Sequence, residues 1–174
     1  MGVIQNNINA AMGAVSGALV AGTHIANQTK QNELAKANLE ISKLDTEREK
    51  ANLEAKLGSV DEDLLFRGLA DADLTAEETE KLSSSSDKAG DYLALKTENA
   101  KQDTLASAQE YTGRLEKYKS GEQKSKPSSK RLEKAKEAFD SLRDETNARN
   151  NLKFDIELTK KKLDAINLGL GGKR

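Results

Sequence analysis

From Lys30 the chain divides without a gap into sevens, KQNELAK, ANLEISK, LDTEREK and ANLEAKL, with Glu in the fourth place of every unit. A strict seven-residue period belongs to a helix that winds left-handed against neighbouring helices, because it keeps one face on a partner over many turns. Glu33, Glu40, Glu47 and Glu54 form one line, and Lys36, Lys43 and Lys50 form another that links to it by Lys-to-Glu pairs four residues apart. Leu34, Ala37, Ile41, Leu44, Ala51 and Ala55 make an apolar coiled-coil seam that only Arg48 interrupts. Leu39 and Leu53, followed by Leu57 and Val60, fall about 200° around the helix from that seam. Two apolar edges imply two neighbours, which are either other subunits or two helices of the same chain.

Composition agrees with long helices and argues against a compact aromatic core. One Pro in 174 residues, three Phe, three Tyr and no Trp leave few bulky anchors and no breakers to punctuate a sheet. The fold class is therefore all-α, with long helices in coiled-coil and helical-bundle packing, oligomeric, and headed by an apolar Gly/Ala-rich N-terminal helix. Without cysteine there are no disulfides, thiolate metal sites or cysteine nucleophiles. His24 is the sole histidine, so neither a two-His metal site nor a Ser/His/Asp relay is available within one chain. The many acid pairs belong on solvated helix faces in a chain this charged. The expectation is a protein that is not an enzyme and uses no metal or cofactor.

The first 29 residues contain no Asp, Glu, Lys or Arg. Ile4, Ile8, Ala11, Val15, Leu19 and Gly22 recur at spacings of three and four, and Ala10, Ala14, Ala18, Gly22 and Ala26 make a ladder of small residues every fourth position. Such ladders let helix backbones approach closely, in membranes and in soluble bundles alike. The length from Ile8 to Asn27 suffices to cross about 30 Å of hydrocarbon. Asn9, Ser16, Thr23 and His24 make a solitary span poor, whereas several helices together could turn the polar side toward a wet lumen. No Lys or Arg precedes the run, so it reads as part of the working protein and not as a secretory signal. Asn6 stands where a myristoylation pattern requires Ser or Thr.

The expected organisation is an apolar helix over 1–29, the heptad helix over 30–57, an acidic connecting region with short helices over 58–87, a helix over 88–118, a basic linker over 119–128, a C-terminal helix over 129–168 and a mobile Gly/basic tail over 169–174. Thr75 with Glu78 forms a capping box inside the connecting region. Residues 58–87 hold nine acids and two bases, whereas residues 119–136 hold seven bases and two acids, an asymmetry that the net charge of −1 conceals. Lys124, Lys126, Lys130 and Arg131 are candidate phosphate contacts, although no aromatic reader residues are interleaved with them. Leu132, Ala135, Phe139, Leu142, Leu152, Ile156, Thr159, Leu163, Ile166 and Leu170 should supply the buried face of the C-terminal helix.

In its layout, a charge-free Gly/Ala-rich head, a coil beginning NQTKQNELAKANLE and a short Gly-plus-basic tail, the chain resembles bacteriophage DNA-ejection proteins, that is, podovirus internal virion proteins and microvirus DNA pilot proteins. The Met- and Pro-containing block of many microvirus pilot proteins is missing after the head. The resemblance implies a virion protein that reaches the host cell envelope during infection, with homo-oligomers, other virion proteins, the host membrane and phage DNA as its partners. Alternatives with the same physics are a non-membrane scaffold component of a virion and a secreted bacterial translocator or pore-former.

Overall fold

A computed structural model of the protein describes residues 17–171, with side chains from Ala26 onward. The described residues are helical, with no strand among them, in four helices: α1 (Gly17–Ala70), α2 (Ala76–Ser83), α3 (Lys88–Lys119) and α4 (Lys130–Gly169). Ile4, Ile8, Ala11 and Val15 lie outside the described residues, as do 172–174 of the expected tail. Ala18, Leu19 and Gly22 belong to the backbone of α1.

Two expected boundaries are absent. The edge of charge at Lys30 is not an edge of structure, and α1 also runs through Gly58 to Ala70 instead of breaking into a short separate helix. A glycine in a helix interior costs about 1 kcal/mol relative to alanine, and burial of Leu64 to 2% exposure just beyond it outweighs that cost. Gly68, also inside α1, lies flat against the Tyr92 ring, where an added Cβ would meet Cδ2 at 3.4 Å. Helix α1 stops at a turn in which the Asp73 N–H donates to the Asp71 carboxylate at 3.0 Å.

The remaining termini follow local chemistry. The Thr75 side chain accepts from the Glu78 N–H, and the Glu78 carboxylate accepts from the Thr75 N–H, which fixes the start of α2. Asp87 caps α3 by accepting from the Gly90 N–H. At the far end, α4 closes with the Gly171 N–H donating to the Leu168 carbonyl while Gly171 adopts φ +81°, a left-handed conformation that glycine takes without a Cβ clash.

The chain forms two compact units. In the unit spanning Leu53–Asp155, the core is Leu64, Ala89, Tyr92 and Leu93, with Val60, Leu74, Leu82 and Leu142 packed around it. Here α1 and α4 run antiparallel, since Asp61 faces Arg149 and Arg67 faces Glu145. The second unit comprises residues up to Asn52 together with those from Ile156. In it Asn27, Thr46, Ile156, Thr159 and Ile166 are buried, and Leu39 lies against Gly169.

Candidate functional site

Helix α1 has an inner and an outer apolar stripe. Leu39, Lys43, Thr46, Lys50, Leu53, Leu57, Val60 and Leu64 are all at least half-covered, and they alternate by four and three, the spacing of a coiled-coil seam. Thr46 can be buried to 2% exposure because its hydroxyl donates to the Ser42 carbonyl at 2.7 Å. The seam that the heptads single out lies on the opposite side. Ile41 and Leu44 are 58% and 56% exposed, Ala37, Ala51 and Ala55 are exposed, and Leu34 is half-buried. The chain therefore covers one of its two stripes and leaves most of the one that the heptads single out open.

The same division recurs on α4. Its inner line from Leu142 through Arg149, Leu152, Ile156, Thr159, Leu163 and Ile166 to Leu170 is buried or half-buried, together with Leu132, Ala135 and Phe139, which is the face the sequence pattern selects. On the other side Phe154, Leu158 and Leu168 are 62%, 48% and 48% exposed. Helix α1 also ends in open apolar surface, with Leu65, Phe66 and Leu69 at 41%, 64% and 87%. Exposed apolar side chains thus recur along one side of each of these two helices.

The covered seams hold a polar network in the Leu53–Asp155 unit. The Arg149 side chain, 7% exposed, donates from Nε to Asp61 at 2.7 Å and from Nη2 to Asp87 at 2.9 Å. Arg67 forms a two-point contact with Glu145 at 2.6 and 3.1 Å. Lys96 lies 2.9 Å from Asp71, which also accepts from the Tyr92 hydroxyl at 2.8 Å. Each contact joins a different pair of positions on α1, α3 and α4 or their caps, so together they fix the register of helices whose apolar seams alone are thin. The Lys96 ammonium holds the Asp71 carboxyl below its ordinary range, assisted by Tyr92 and the Asp73 N–H against the opposing effect of burial. Burial pushes the Tyr92 hydroxyl up to about 12, and its bond to Asp71 adds to the shift. For Asp87, burial acts upward, but the Gly90 N–H and Arg149 outweigh it and the carboxyl is lowered. These groups are locked to partners, and Arg67, Glu145 and Arg149 also line a half-open hollow with Val60, Leu64 and Leu93.

Two other regions were candidates for chemistry. A half-open cavity of about 190 Å³ beneath α2 has a largely apolar wall of Leu64, Leu65, Leu69, Leu74 and Leu82, with Asp71, Lys88 and Tyr92 also on its lining; there Asp71 is already held by Lys96 and the Tyr92 hydroxyl. Among the basic residues, Lys124 and Lys126 lie in the exposed connection before α4 and Lys130 is the first residue of that helix. Arg131 turns back to Glu110, and Asp103 is 3.6 Å from it. Arg131 is thus charge-paired within its own chain. Among the described residues no group of three or more His, Cys, Asp or Glu is placed to hold a metal ion.

Arg149 and its two carboxylates were not singled out by the sequence. The one available signal is that Arg149 falls on the inner line of α4, between Leu142 and Leu152, where a charge must either be paired or break the packing. No protein-family model, curated protein or solved structure matches the chain.

Proposed function

We propose that this chain is a structural virion protein of a bacteriophage genome-ejection apparatus, whose subunits associate through the open stripe of α1 into a helical conduit that engages the host envelope. The observation that carries the assembly step is the pair of opposed stripes on α1, of which the chain covers one and leaves Ile41 and Leu44 of the other open. The covered line of α1 carries Lys43, Thr46 and Lys50 among its aliphatic residues, so the subunit gains further apolar burial from association through Ile41 and Leu44. The charge-free head and the layout of the chain supply the envelope-directed part. In this reading Lys124, Lys126 and Lys130 meet phosphate without base specificity, because lysine charges alone read no sequence.

A second reading, a virion scaffold component that never enters a membrane, rests on the same ladder of small residues, which lets helix backbones pack closely in a soluble bundle as well as in a membrane. Release of dye from anionic vesicles separates the two. For the conduit, the full chain releases dye and a variant lacking residues 2–29 neither releases it nor binds vesicles. A full chain that leaves vesicles sealed, or a truncated chain that binds them equally well, overturns the membrane-engaging role.

A further inference from the structure

We propose that a half-open hollow between α3 and the start of α4 binds a phosphate group, with the Ser107 hydroxyl donating to a phosphate oxygen at its buried end. The inference goes beyond the unspecific lysine contacts of the reading above, because it places a discrete site on other side chains, and it stands apart from what the open stripe of α1 meets. The hollow, of about 260 Å³, lies wholly within the Leu53–Asp155 unit.

Ser107 carries the argument. It is 2% exposed and the one buried residue of the lining. Its hydroxyl is the one buried side-chain polar atom among the described residues without a hydrogen-bond partner. A hydroxyl on a helix commonly donates to the carbonyl four residues back. Thr46, Thr97, Thr104 and Thr146 all do so, at distances between 2.6 and 2.8 Å, and Ser107 does not. A buried hydroxyl left unpaired lowers stability, and its place in the wall of a hollow makes it a donor for an acceptor from outside the chain.

The rest of the wall supplies the charge that an oxyanion needs. Arg114 of α3 and Arg131 of α4 both bind the Glu110 carboxylate, Arg114 at 2.8 Å on one oxygen and Arg131 on the other. Glu110 thus holds the two guanidinium groups side by side. Each side chain is largely exposed, at 60% and 62%, and keeps N–H donors that one carboxylate oxygen does not use. Lys130 adds a third cation to the lining. Asp103 lies 3.6 Å from Arg131, and Glu133 accepts from the Ser129 hydroxyl at 3.0 Å, both outside the lining. Lys130 and Arg131 also open α4, a helix of 40 residues, whose N-terminal end carries positive partial charge.

Phosphate suits this set better than a carboxylate does, because its acceptor oxygens match two guanidinium groups and a hydroxyl at once. Tyr111 and Leu132, both half-buried, give the same lining an apolar side against which the group carrying the phosphate can lie. No aromatic residue stands among the bases of residues 119–136, and the fold brings Tyr111 to them from α3.

Isothermal titration calorimetry of the full chain with inorganic phosphate tests this, with circular dichroism melts to establish folding. Wild type should bind one phosphate per chain. Ser107→Ala and, separately, Arg131→Gln should each weaken binding by about ten-fold or more, and Ser107→Ala should do so while melting no lower than wild type. Lys124→Gln/Lys126→Gln, outside the hollow, should leave phosphate affinity nearly unchanged. An oligothymidine that displaces inorganic phosphate from wild type makes nucleic acid the carrier, and one that binds without displacing it makes free phosphate the ligand. A wild type that takes up no phosphate, or binding that Ser107→Ala leaves unchanged, overturns the inference. Binding lost in Lys124→Gln/Lys126→Gln alone does so too and leaves only the unspecific lysine contacts.

Discussion

Replacing Arg149 with Ala removes the charge that ties α4 to Asp61 of α1 and to Asp87, the cap of α3. The guanidinium makes contacts of 2.7 and 3.2 Å with Asp61 and of 2.9 and 3.4 Å with Asp87. Deleting one partner of a fully buried pair costs about 3–5 kcal/mol, most of it from stranding the opposite charge. Here the stranded carboxylates remain 29% and 46% exposed and Asp87 keeps its bond from the Gly90 N–H, so water recovers part of the loss and about 2 kcal/mol is the expected cost. For a chain of this length that corresponds to a melting temperature lower by roughly 4–8 °C. Arg149→Lys retains the charge but loses the planar fork, and should fall between the two at about 1 kcal/mol. Urea denaturation followed by far-ultraviolet circular dichroism measures both. Stability of Arg149→Ala within about 0.5 kcal/mol of wild type, the range of ordinary surface substitutions, would refute the assignment of this network as the register lock.

Gly90→Ala should destabilise the protein although alanine favours helix, because its Cβ would lie 2.9 Å from the Asp87 carboxyl carbon and 2.8 Å from Arg149 Nη1. Combined with Arg149→Ala, its cost should be clearly smaller than in wild type, a non-additivity that a double-mutant cycle in urea reads directly. Ser107→Ala should stabilise by about 1 kcal/mol, since the Ser107 hydroxyl is buried without a hydrogen-bond partner and removing an unsatisfied group removes its desolvation penalty; a loss of stability on the same substitution contradicts this. The lowered Asp71 and Asp87 carboxyls contribute stability that is complete above the ordinary carboxylate range and is lost as pH falls through their folded values, so urea midpoints should decline below about pH 4. Tyr92 has the opposite sign. Its folded value of about 12 contributes stability that is complete below about pH 10 and lost as pH rises toward the folded value, and ultraviolet titration should show a tyrosine that ionises late in wild type and is absent from Tyr92→Phe.

The inner face of α4 is legible from sequence because Leu132, Phe139, Leu142, Leu152, Ile156, Leu163 and Ile166 are large and in register. The Thr75–Glu78 cap is legible because its chemistry is local. Helix α1 is less so. Its two stripes are both visible, but the sequence cannot rank them: Lys43, Thr46 and Lys50 lie on the side the chain covers, while Ile41 and Leu44 stand open. Hydrophobicity predicts which surfaces seek a partner, whereas the partner supplied by the same chain is decided by connection and register. The Arg149 cluster was hidden for a related reason, since it joins residues 88 and 62 positions apart and no local pattern separates a charge that buries from one that stays solvated. Gly58 and Gly68 suggest breaks, and burial of Val60 and Leu64 on one side and the Tyr92 ring on the other carry α1 through both.

The central claim is that the stripe α1 leaves open is an interface. Sedimentation equilibrium of the full chain and of Ile41→Asp/Leu44→Asp tests it most directly, because these side chains are 58% and 56% exposed and the substitutions should leave the melt of the isolated subunit nearly unchanged. An oligomeric wild type and a monomeric, fully folded variant are expected. A wild type that is monomeric at every concentration, or a variant that assembles as wild type does, would contradict the claim.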